Sequence, residues 1–333
     1  MTTKFKKANI VKNYLVRFPN TPSLSLARKV YSENNEHFKD VEDVRGVIRY
    51  SRGLNGKNSR KNTNKEFRVR PNSLNPYNLP KSDAKKQSVF HLPKKCNNIL
   101  FLSDLHIPFH NINALTVALK YGKEKKINCI FINGDLIDFY QISRFVTLER
   151  KRSVAEELML ANQFLDSLNK FFPKIPIYFL FGNHDMRLQK YLAVKAPELL
   201  DVPEFRLEML LKAKEHNMTV IPDTTLVKVE KLNITHGHLV LRGFFSPVNG
   251  ARGTFLRAKA STIISHIHNV STHTEKTIAQ RFITCYSTGC LCEITPAYNP
   301  FSNNFNHGFA HITTEKGMFR VRNMQILEGQ IVN

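Results

Sequence analysis

The sequence predicts an α/β fold with parallel strands, preceded by a small all-helical domain. Short apolar runs alternate with longer amphipathic segments from Asn97 onward, and the chain becomes strand-rich after Asn217. The 333 residues, 42% of them hydrophobic, suffice for one large domain plus a small one. We therefore expect a basic helical domain at 1–52, a flexible basic linker at 53–96 and an α/β domain at 97–333.

The net charge of +22 is concentrated toward the N-terminal end. Residues 1–95 hold 22 Lys and Arg against 7 Asp and Glu, whereas the rest of the chain holds 27 against 20. A charge of this sign and size predicts a polyanionic partner, either nucleic acid or an acidic membrane surface. The alternative, a basic protein that is merely soluble, fits the uneven distribution less well.

The sequence lacks the usual signals for export or membrane insertion. The N-terminal segment has lysines but no apolar core of a signal peptide, and no apolar stretch is long enough to span a membrane. Five cysteines with no CxxC motif suit a reducing compartment. Cys290 and Cys292 could bind a metal, although small apolar strand residues are the favoured interpretation. We expect a cytoplasmic protein that does not bind membranes.

Periodicity predicts three short helices in the domain at 1–52. The first runs near Asn9 to Phe18, the second begins at Pro22, and Asp40 is a plausible N-cap of the third. The third helix has an apolar stripe and, on another face, arginines at i, i+4 and i+7. This combination predicts a recognition helix in a DNA groove, with a solvated basic face as the alternative. The arginines concerned are Arg45, Arg49 and Arg52.

Strands and helices alternate at the start of the α/β domain. NILFLSDLH, NCIFINGDLID and IPIYFLFGNHD each contain a predicted strand, and INALTVALKYGKEKK and VAEELMLANQFLDSLNKFF predict helices between them. Two further helices are predicted in MRLQKYLAVKA and EFRLEMLLKAKEH. The remaining strands are predicted in TVIPD, TLVKVEKLNITHGH, TIISHIHN, RFITCYSTGC and GFAHITTEKGMFRVRNMQIL.

Polar motifs follow the first three strands. The motifs are DLH, GDLID and GNHD. Residues i and i+2 of an extended strand point to the same side, so both ends of DLH could reach one ion. Because parallel strands present their carboxyl ends at one edge, we expect the motifs to converge. The convergent residues are Asp104, His106, Asp135 and Asn183.

Histidines in the strand-rich half complete a set of metal-capable side chains. His236 lies in THGH, and His266 and His268 lie in SHIH. A mixed oxygen and nitrogen set suits Mn, Fe, Zn or Ni ions. A single motif of this kind is common by chance, but the ordered set of five, each at the end of an apolar strand, indicates a metal site.

The ordered motifs DxH, GDxxD, GNHD, H and HxH resemble those of the calcineurin-like metallophosphoesterases over about residues 97–330. The resemblance implies a four-layer α/β/β/α sandwich with two divalent metal ions at the strand ends, with Mn first among the candidates. The ligands implied for one ion are Asp104, His106, Asp135 and His268. Those implied for the other ion are Asp135, Asn183, His236 and His266.

The same resemblance implies the catalytic roles. A water bridging the two cations would attack phosphorus, and His184 would stabilise the transition state or protonate the leaving oxygen. Asp138 would orient His184. Asp185 is interpreted as a cap of the following helix. One position departs from the family pattern, because Ser265 replaces the usual glycine of GHxH.

Other residues near the motifs have weaker support. Arg187 and Arg144 are candidate contacts to a substrate phosphate, with surface ion pairing as an equal alternative. His110 and His238 lie beside the motifs, where they could support a ligand or contact substrate.

The N-terminal block predicts the substrate class, because the metal ligands do not distinguish one phosphate ester from another. SLSLARKVYSENNEHF together with DVEDVRGVIRYSRG resembles the helix-turn-helix units that precede such phosphoesterases in phage-encoded proteins, which implies action in a bacterial cytoplasm. We predict a phosphodiesterase acting on DNA rather than RNA, as a nuclease or end-processing enzyme. The alternatives are a nucleotide or phosphoprotein phosphatase localised by a DNA-binding module, and a non-catalytic DNA-binding regulator, which the complete ligand set disfavours.

Overall fold

The computed structural model describes residues 3–62, 80, 82–84, 87–143, 153–241, 248–295 and 303–332. The chain forms two compact units, Met1–Lys85 and Lys86–Asn333. Across the described ranges, no helix has the length and apolar character needed to cross a membrane.

The N-terminal unit is a bundle of short helices around one apolar core. The α-helices are α1 (Thr3–Arg17), α2 (Ser23–Glu33), α3 (Val41–Ser51) and α4 (Gly56–Asn62). A 3₁₀ turn at Asn35–His37 precedes α3. The core residues are Val11, Leu15, Leu26, Ala27, Val30, Phe38, Val44 and Ile48.

Local capping signals were accurate guides to two of these helices. Asp40 caps α3, because its carboxylate accepts a hydrogen bond of 2.7 Å from the Asp43 N–H. α2 begins directly after Pro22, as predicted. α1 begins at Thr3, earlier than predicted, and a tertiary contact helps to explain the difference: Lys7 in the added turns lies 2.6 Å from the Asp43 carboxylate.

The structure differs from the predicted linker at both of its ends. α4 follows α3 closely, and the buried Ser59 hydroxyl donates to the Tyr50 carbonyl at 2.9 Å. At the other end, strand β1 (Val89–His91) pairs in parallel with β6 (Leu226–Val229). Neither element has the apolar periodicity that would reveal it in sequence. The centre of the predicted linker, residues 63–79, lies outside the described residues.

Arg52 does not belong to an exposed arginine row, contrary to the prediction. Its side chain is buried, and its guanidinium donates to the Ser23 hydroxyl at 3.0 Å and to the carbonyls of Pro19 and Thr21 at 3.2 and 2.7 Å. Arg52 is the C-cap residue of α3, and its guanidinium binds the segment that joins α1 to α2 and the first residue of α2. It therefore stabilises the bundle.

Arg45 and Arg49 remain as candidates for a DNA contact. Arg49 is exposed on α3. Arg45 is partly exposed and lies 3.0 Å from the exposed carboxylate of Glu42, one turn earlier on the helix. Such an exposed pair contributes little to stability, so Arg45 could exchange Glu42 for a phosphate at small cost.

The first sheet of the α/β unit has seven strands in the order β13-β12-β11-β2-β3-β4-β5. Its parallel half consists of β2 (Asn98–Leu102), β3 (Cys129–Asn133), β4 (Ile177–Leu180) and β5 (Met218–Ile221). Its antiparallel half consists of β11 (His307–Glu315), β12 (Met318–Leu327) and β13 (Gln330–Val332).

The second sheet has six strands in the order β1-β6-β7-β8-β10-β9. The strands after β6 are β7 (Leu232–Ile234), β8 (Thr262–Ile264), β9 (Ser271–Lys276) and β10 (Phe282–Ser287). β9 is a polar, exposed edge strand. It lacks apolar alternation, which is why the sequence did not predict it.

Helices cover the outer faces of both sheets, which confirms the four-layer α/β/β/α sandwich. The helices on the seven-stranded sheet are α5 (Ile112–Glu124), α6 (Val154–Phe171), α7 (Arg187–Lys195) and the short α8 (Leu207–Leu210). On the other side, α9 (Gly250–Ala258) packs against β10. β2 shows the layering directly. Leu100 and Leu102 join the core under the helices, whereas Ile99 and Phe101 join the core between the sheets.

Two predictions for the helices were incomplete. The segment EFRLEMLLKAKEH forms only the four-residue α8, and Lys212 just beyond it has a positive φ of 47° that is incompatible with a continuing helix. α9 was not predicted, because its sequence, GARGTFLRA, contains two glycines and no extended apolar stripe.

Glu157 is a buried carboxylate on α6, behind the loop that follows β3. Its Oε1 accepts a hydrogen bond of 3.1 Å from the Tyr140 N–H, and its Oε2 has no hydrogen-bond partner among the described residues. Burial, together with the nearby Asp138 carboxylate, raises the pKa of Glu157 to about 7.

We predict that Glu157 makes the fold less stable as the pH rises. Its folded-state pKa of about 7 lies above the unfolded value of 4.5, so stability from this group is complete below 4.5 and declines until about pH 7. Glu157→Gln keeps the acceptor for Tyr140 and removes the charge. As the pH rises from 5 to 8, the free energy of unfolding of this variant should increase relative to that of the wild type by on the order of 1–3 kcal/mol. Denaturant unfolding of both metal-free proteins measures the difference, and parallel pH profiles would contradict the prediction.

Candidate metal centre

The predicted ligands converge where the strands of the two sheets end. Asp135 Oδ2 lies 3.2 Å from His236 Nε2 and 3.7 Å from His106 Nε2. His268 Nε2 lies 3.2 Å from His106 Nε2 and 3.4 Å from Asp104 Oδ1. All five side chains are buried. The structure therefore brings these five predicted ligands together.

Asp135 is shared between two groups of donor atoms. In one group, Asp135, His236 and His266 each offer a ligand atom within 4.8 Å of the others. In another, Asp135 is joined by His106 and His184 under the same limit. Asp135 is therefore common to two candidate ligand groups among the described residues.

Hydrogen bonds on the far side of two imidazoles fix which nitrogen faces the centre. His106 Nδ1 donates to Asp138 Oδ1 at 2.9 Å, and His236 Nδ1 donates to the Asn133 carbonyl at 2.7 Å. With the proton on Nδ1, the lone pair of each Nε2 points into the centre. This is the usual support of a metal-binding histidine.

Two buried polar atoms at the centre have no hydrogen-bond partner in the described structure: Asn183 Oδ1 and His236 Nε2. Such atoms are costly to bury unless something binds them. Burial disfavours charge on His236, but the Asp135 carboxylate raises its pKa to about 9. Protons and cations therefore compete for this imidazole. The donor set fits divalent cations.

The ligands lie in loops rather than on strands, which corrects one step of the sequence prediction. β2 ends at Leu102 and β8 ends at Ile264, so neither DxH nor HxH is part of an extended strand. Each ligand of these pairs instead has a left-handed backbone, with one residue between the two. The φ values are 51° for Asp104, 48° for His106, 71° for His266 and 56° for His268. Asp135 is also left-handed, with φ 51°.

Two glycines are required by close approach at the centre. A Cβ on Gly134, which has φ +84°, would lie 2.3 Å from His236 Nδ1. A Cβ on Gly182 would lie 2.2 Å from Asp135 Oδ1. Each distance is far inside van der Waals contact, so both glycines determine where Asp135 and His236 can sit.

Asp185 does not cap the following helix, contrary to the interpretation from sequence. Its carboxylate accepts hydrogen bonds from the N–H groups of Gly182 and Asp135, both at 2.7 Å. It also accepts from Leu136 and Ile137 at 3.1 and 3.3 Å. Asp185 therefore joins the GNHD turn to the GDLID loop. Only the fold reveals this role, because three of the four donors lie about fifty residues away.

Asp138 holds two histidines at once. Its Oδ1 lies 2.9 Å from the Nδ1 atoms of both His106 and His184. Burial opposes ionisation, but the hydrogen bonds from the two imidazoles hold the pKa of Asp138 well below its usual range. The expected contact to His184 is present, and the contact to His106 was not foreseen.

Arg187 belongs to the same cluster instead of forming a surface ion pair. It donates to the Asp138 carbonyl at 2.8 Å and to His184 Nε2 at 3.1 Å. Its guanidinium thus lies beside the candidate acid group. Arg144, the other predicted phosphate contact, falls outside the described residues.

Ser265, which departs from the family pattern, joins a buried polar chain behind the HxH loop. Its hydroxyl accepts from Asn133 Nδ2 at 2.7 Å and contacts the Thr288 hydroxyl at 3.1 Å. Thr288 in turn contacts Ser103 at 3.0 Å. These bonds link the end of β3 to the residues that follow β2, β8 and β10, so the serine has a supporting role of its own.

Two further side chains border the ligands. Cys292 Sγ lies 3.9 Å from His268 Nδ1, so this buried thiol faces a ligand rather than acting only as a small apolar residue. The His238 ring packs at an angle against His236 and His266, with ring centroids 5.4 and 6.0 Å away. Its Nε2 lies 3.3 Å from the Asp223 carboxylate. The sequence had offered metal binding as the less favoured interpretation of Cys292, and its thiol lies within 4.8 Å of ligand atoms of His106 and His268.

A cleft of about 950 Å³ opens beside the centre. Asn183, His266, His238 and Arg187 line its inner end. The candidate metal centre is therefore accessible to a ligand larger than water.

The fold and the donor set define a metal-dependent phosphoesterase. Residues 98–286, more than half of the chain, match the family model described as calcineurin-like phosphoesterase. The chain belongs to the calcineurin-like phosphoesterase family.

Relatives and solved structures show more distant similarity. The chain is 28% identical over 177 residues to the Gene 54 protein of Mycobacterium phage L5, covering 51% of this chain and 68% of that one. A Vps29 double mutant from Entamoeba histolytica aligns over 71% of this chain and 96% of its own, with 13% identity and a TM-score of 0.37. YfcE, a phosphoesterase from E. coli, aligns over 64% and 87%, with 15% identity and a TM-score of 0.34.

We predict that Asp138→Asn weakens metal binding, because Asp138 fixes the ligand His106 through Nδ1. Loss of such a supporting carboxylate typically costs about 10- to 100-fold in affinity. Titration of the metal-stripped protein with Mn²⁺, followed by calorimetry, measures the change. Asp166→Asn is a matched control, since Asp166 also lies near a histidine, His216 at 3.9 Å, away from the centre. Equal affinities for the wild type and Asp138→Asn would contradict the prediction.

Proposed function

We propose that the chain is a two-metal phosphodiesterase that acts on DNA, as a nuclease or an end-processing enzyme. The observation that carries the proposal is the buried Asp135 carboxylate, which lies between two groups of metal-capable donors at the inner end of a cleft. A carboxylate shared in this way is the arrangement that two-metal hydrolases use to hold a pair of cations.

The donor chemistry supports divalent ions of intermediate softness. Carboxylate, amide and imidazole groups together suit Mn²⁺, and Fe, Zn or Ni fit the same set. The ions, when bound, would neutralise phosphate charge and lower the pKa of a water molecule. The residues proposed to hold them are Asp104, His106, Asp135, Asn183, His236, His266 and His268.

His184 is the proposed acid. Its Nδ1 donates to Asp138 Oδ1 at 2.9 Å, which orients the ring, and its Nε2 is the atom that would give a proton to the leaving oxygen. Arg187 Nη2 lies 3.1 Å from that same Nε2. A substrate phosphate is the better partner for this guanidinium, so substrate binding would move Arg187 onto phosphate oxygens and free His184 Nε2.

The choice of DNA rests on charge and relatives. The net charge of +22 favours a polyanion, and most of it precedes the phosphoesterase domain. We propose that α2 and α3 act as a helix-turn-helix unit, with Arg45 and Arg49 facing DNA. The related Gene 54 protein belongs to a phage, which supports an origin of this kind and action in the cytoplasm of a bacterial host.

We predict that the metal-stripped protein, reconstituted with Mn²⁺, cleaves bis-p-nitrophenyl phosphate and DNA. Asp135→Asn and His184→Ala should each lower both activities by about 10²–10⁴-fold, since one loses the shared ligand and the other the acid. Cleavage of p-nitrophenyl phosphate alone would indicate a phosphomonoesterase instead. DNA binding without hydrolysis under Mn, Fe, Zn or Ni would indicate a non-catalytic regulator.

We also predict that the double variant Arg45→Gln, Arg49→Gln binds DNA more weakly and with a shallower salt dependence, by about one unit of slope for each lost phosphate contact. Cleavage of bis-p-nitrophenyl phosphate should not change, because this small diester needs no tether. Lys12→Gln, an exposed position on α1, is the control. Deleting residues 1–95 is unsuitable, since it would also remove β1. If the double variant bound DNA as tightly as the wild type, the proposed recognition role of α3 would be wrong.

A further inference from the structure

α7 has two unlike faces. Leu188 and Leu192, one turn apart, are buried in the core under the seven-stranded sheet. The remaining face lines the cleft beside the metal centre. The residues on this cleft face are Arg187, Lys190, Tyr191, Val194 and Lys195, spaced as one helical side.

The cleft face begins at the reacting centre and leads away from it. Arg187, at its start, contacts the proposed acid His184 at 3.1 Å. Lys195 lies eight residues further on, which corresponds to about 12 Å along the helix axis at about 1.5 Å per residue. A chain whose phosphate reacts at the centre would therefore extend along α7.

The cleft face is cationic, and the charges of its two lysines are available to contact a ligand. Within the described structure, no ion pair involves Lys190 or Lys195, and both side chains are exposed. Asp223 is the one carboxylate among the residues described as lining the cleft, and it lies 3.3 Å from His238. The field along α7 therefore favours a polyanion over a neutral ligand.

Apolar and aromatic groups alternate with these lysines, although the core does not need them. Tyr191 is 42% exposed and Val194 is 76% exposed, whereas Leu188 and Leu192 already fill the buried side. Cations for phosphates interleaved with an exposed aromatic ring for a base are the chemistry that binds single-stranded nucleic acid. A paired duplex hides its base faces within its own stack and offers none to Tyr191.

We propose that the cleft face of α7 binds a single strand of DNA next to the reacting phosphate, with Lys190 and Lys195 on backbone phosphates and Tyr191 stacked on a base. This inference rests on the proposed phosphodiesterase function and specifies its substrate as a single strand or an unpaired end. The site is separate from the proposed recognition helix of the N-terminal unit.

The first test is kinetic and uses the full Mn²⁺-loaded chain. Tyr191→Ala and the double variant Lys190→Gln, Lys195→Gln should each lower kcat/KM for single-stranded DNA about tenfold, mainly through KM. Tyr191→Phe, which keeps the ring, should retain most of the activity. Cleavage of bis-p-nitrophenyl phosphate should stay within about twofold in every variant. Lys120→Gln with Lys170→Gln, at exposed positions on α5 and α6, is the matched charge control.

The second test needs no catalysis. A single-stranded oligonucleotide containing 5-iododeoxyuridine is photocrosslinked to the metal-free wild type, and the attachment site is mapped by mass spectrometry. We expect a crosslink at Tyr191. Unlabelled single-stranded DNA should compete with the labelled oligonucleotide and reduce this crosslink, whereas duplex DNA should not. If the wild type failed to cleave any diester, the proposed function would fall, and the crosslink would still decide whether α7 binds a strand.

Three outcomes would overturn the proposal while leaving the phosphodiesterase intact. One is an active enzyme whose single-strand kinetics are unchanged by the α7 variants. Another is crosslinking that maps away from α7. A third is an equal loss of kcat/KM on fully paired duplex DNA, which would mean that the cleft face contacts only the charged backbone.

Discussion

The centre of this protein depends on one buried carboxylate held among imidazoles. Asp135 has almost no contact with solvent, and His236 and His106 lie within 3.7 Å of its Oδ2. Such a charge is tolerable only with compensating groups of fixed position. Gly182 makes room for it, and Asp185 holds its loop through the N–H groups of three consecutive residues, 135–137. Much of the local architecture follows from keeping this one group in place.

Loops from both sheets supply the side chains that surround Asp135. Loops after β2, β3 and β4 provide carboxylates, an amide and one ligand histidine, and loops after β7 and β8 provide the other three histidines. The hydrogen-bonded chain through Ser265 and Thr288 ties loops from both sheets together. Packing in the core between the sheets, where Phe101 and Phe131 of one sheet join Ile234 and Ile263 of the other, therefore also sets the relative positions of the ligand loops.

Alternating apolar runs predicted an α/β domain, and the polar motifs at the ends of those runs predicted a metal site. The four-layer arrangement and the assignment of ligands came from the resemblance of those motifs to the calcineurin-like metallophosphoesterases. Apolar runs mark the buried strands, and each polar motif begins where a run ends. The roles of Arg52, Asp185, Glu157 and Cys292 were not predictable in this way. Each is fixed by partners distant in sequence, such as the carbonyls of Pro19 and Thr21 for Arg52. The left-handed backbone of the ligands was also missed, since no periodicity encodes it.

Because of that left-handed backbone, the shape of the metal centre can be kept while its charge changes. Asparagine tolerates positive φ far better than most residues, and it matches aspartate in size. At Asp104 and Asp135 the loop geometry could thus survive while the negative charge disappears. A single-nucleotide change from aspartate to asparagine could thus remove the catalytic activity and leave the folded domain able to bind ligands. Loss of the negative charge in this architecture therefore requires little change to the fold.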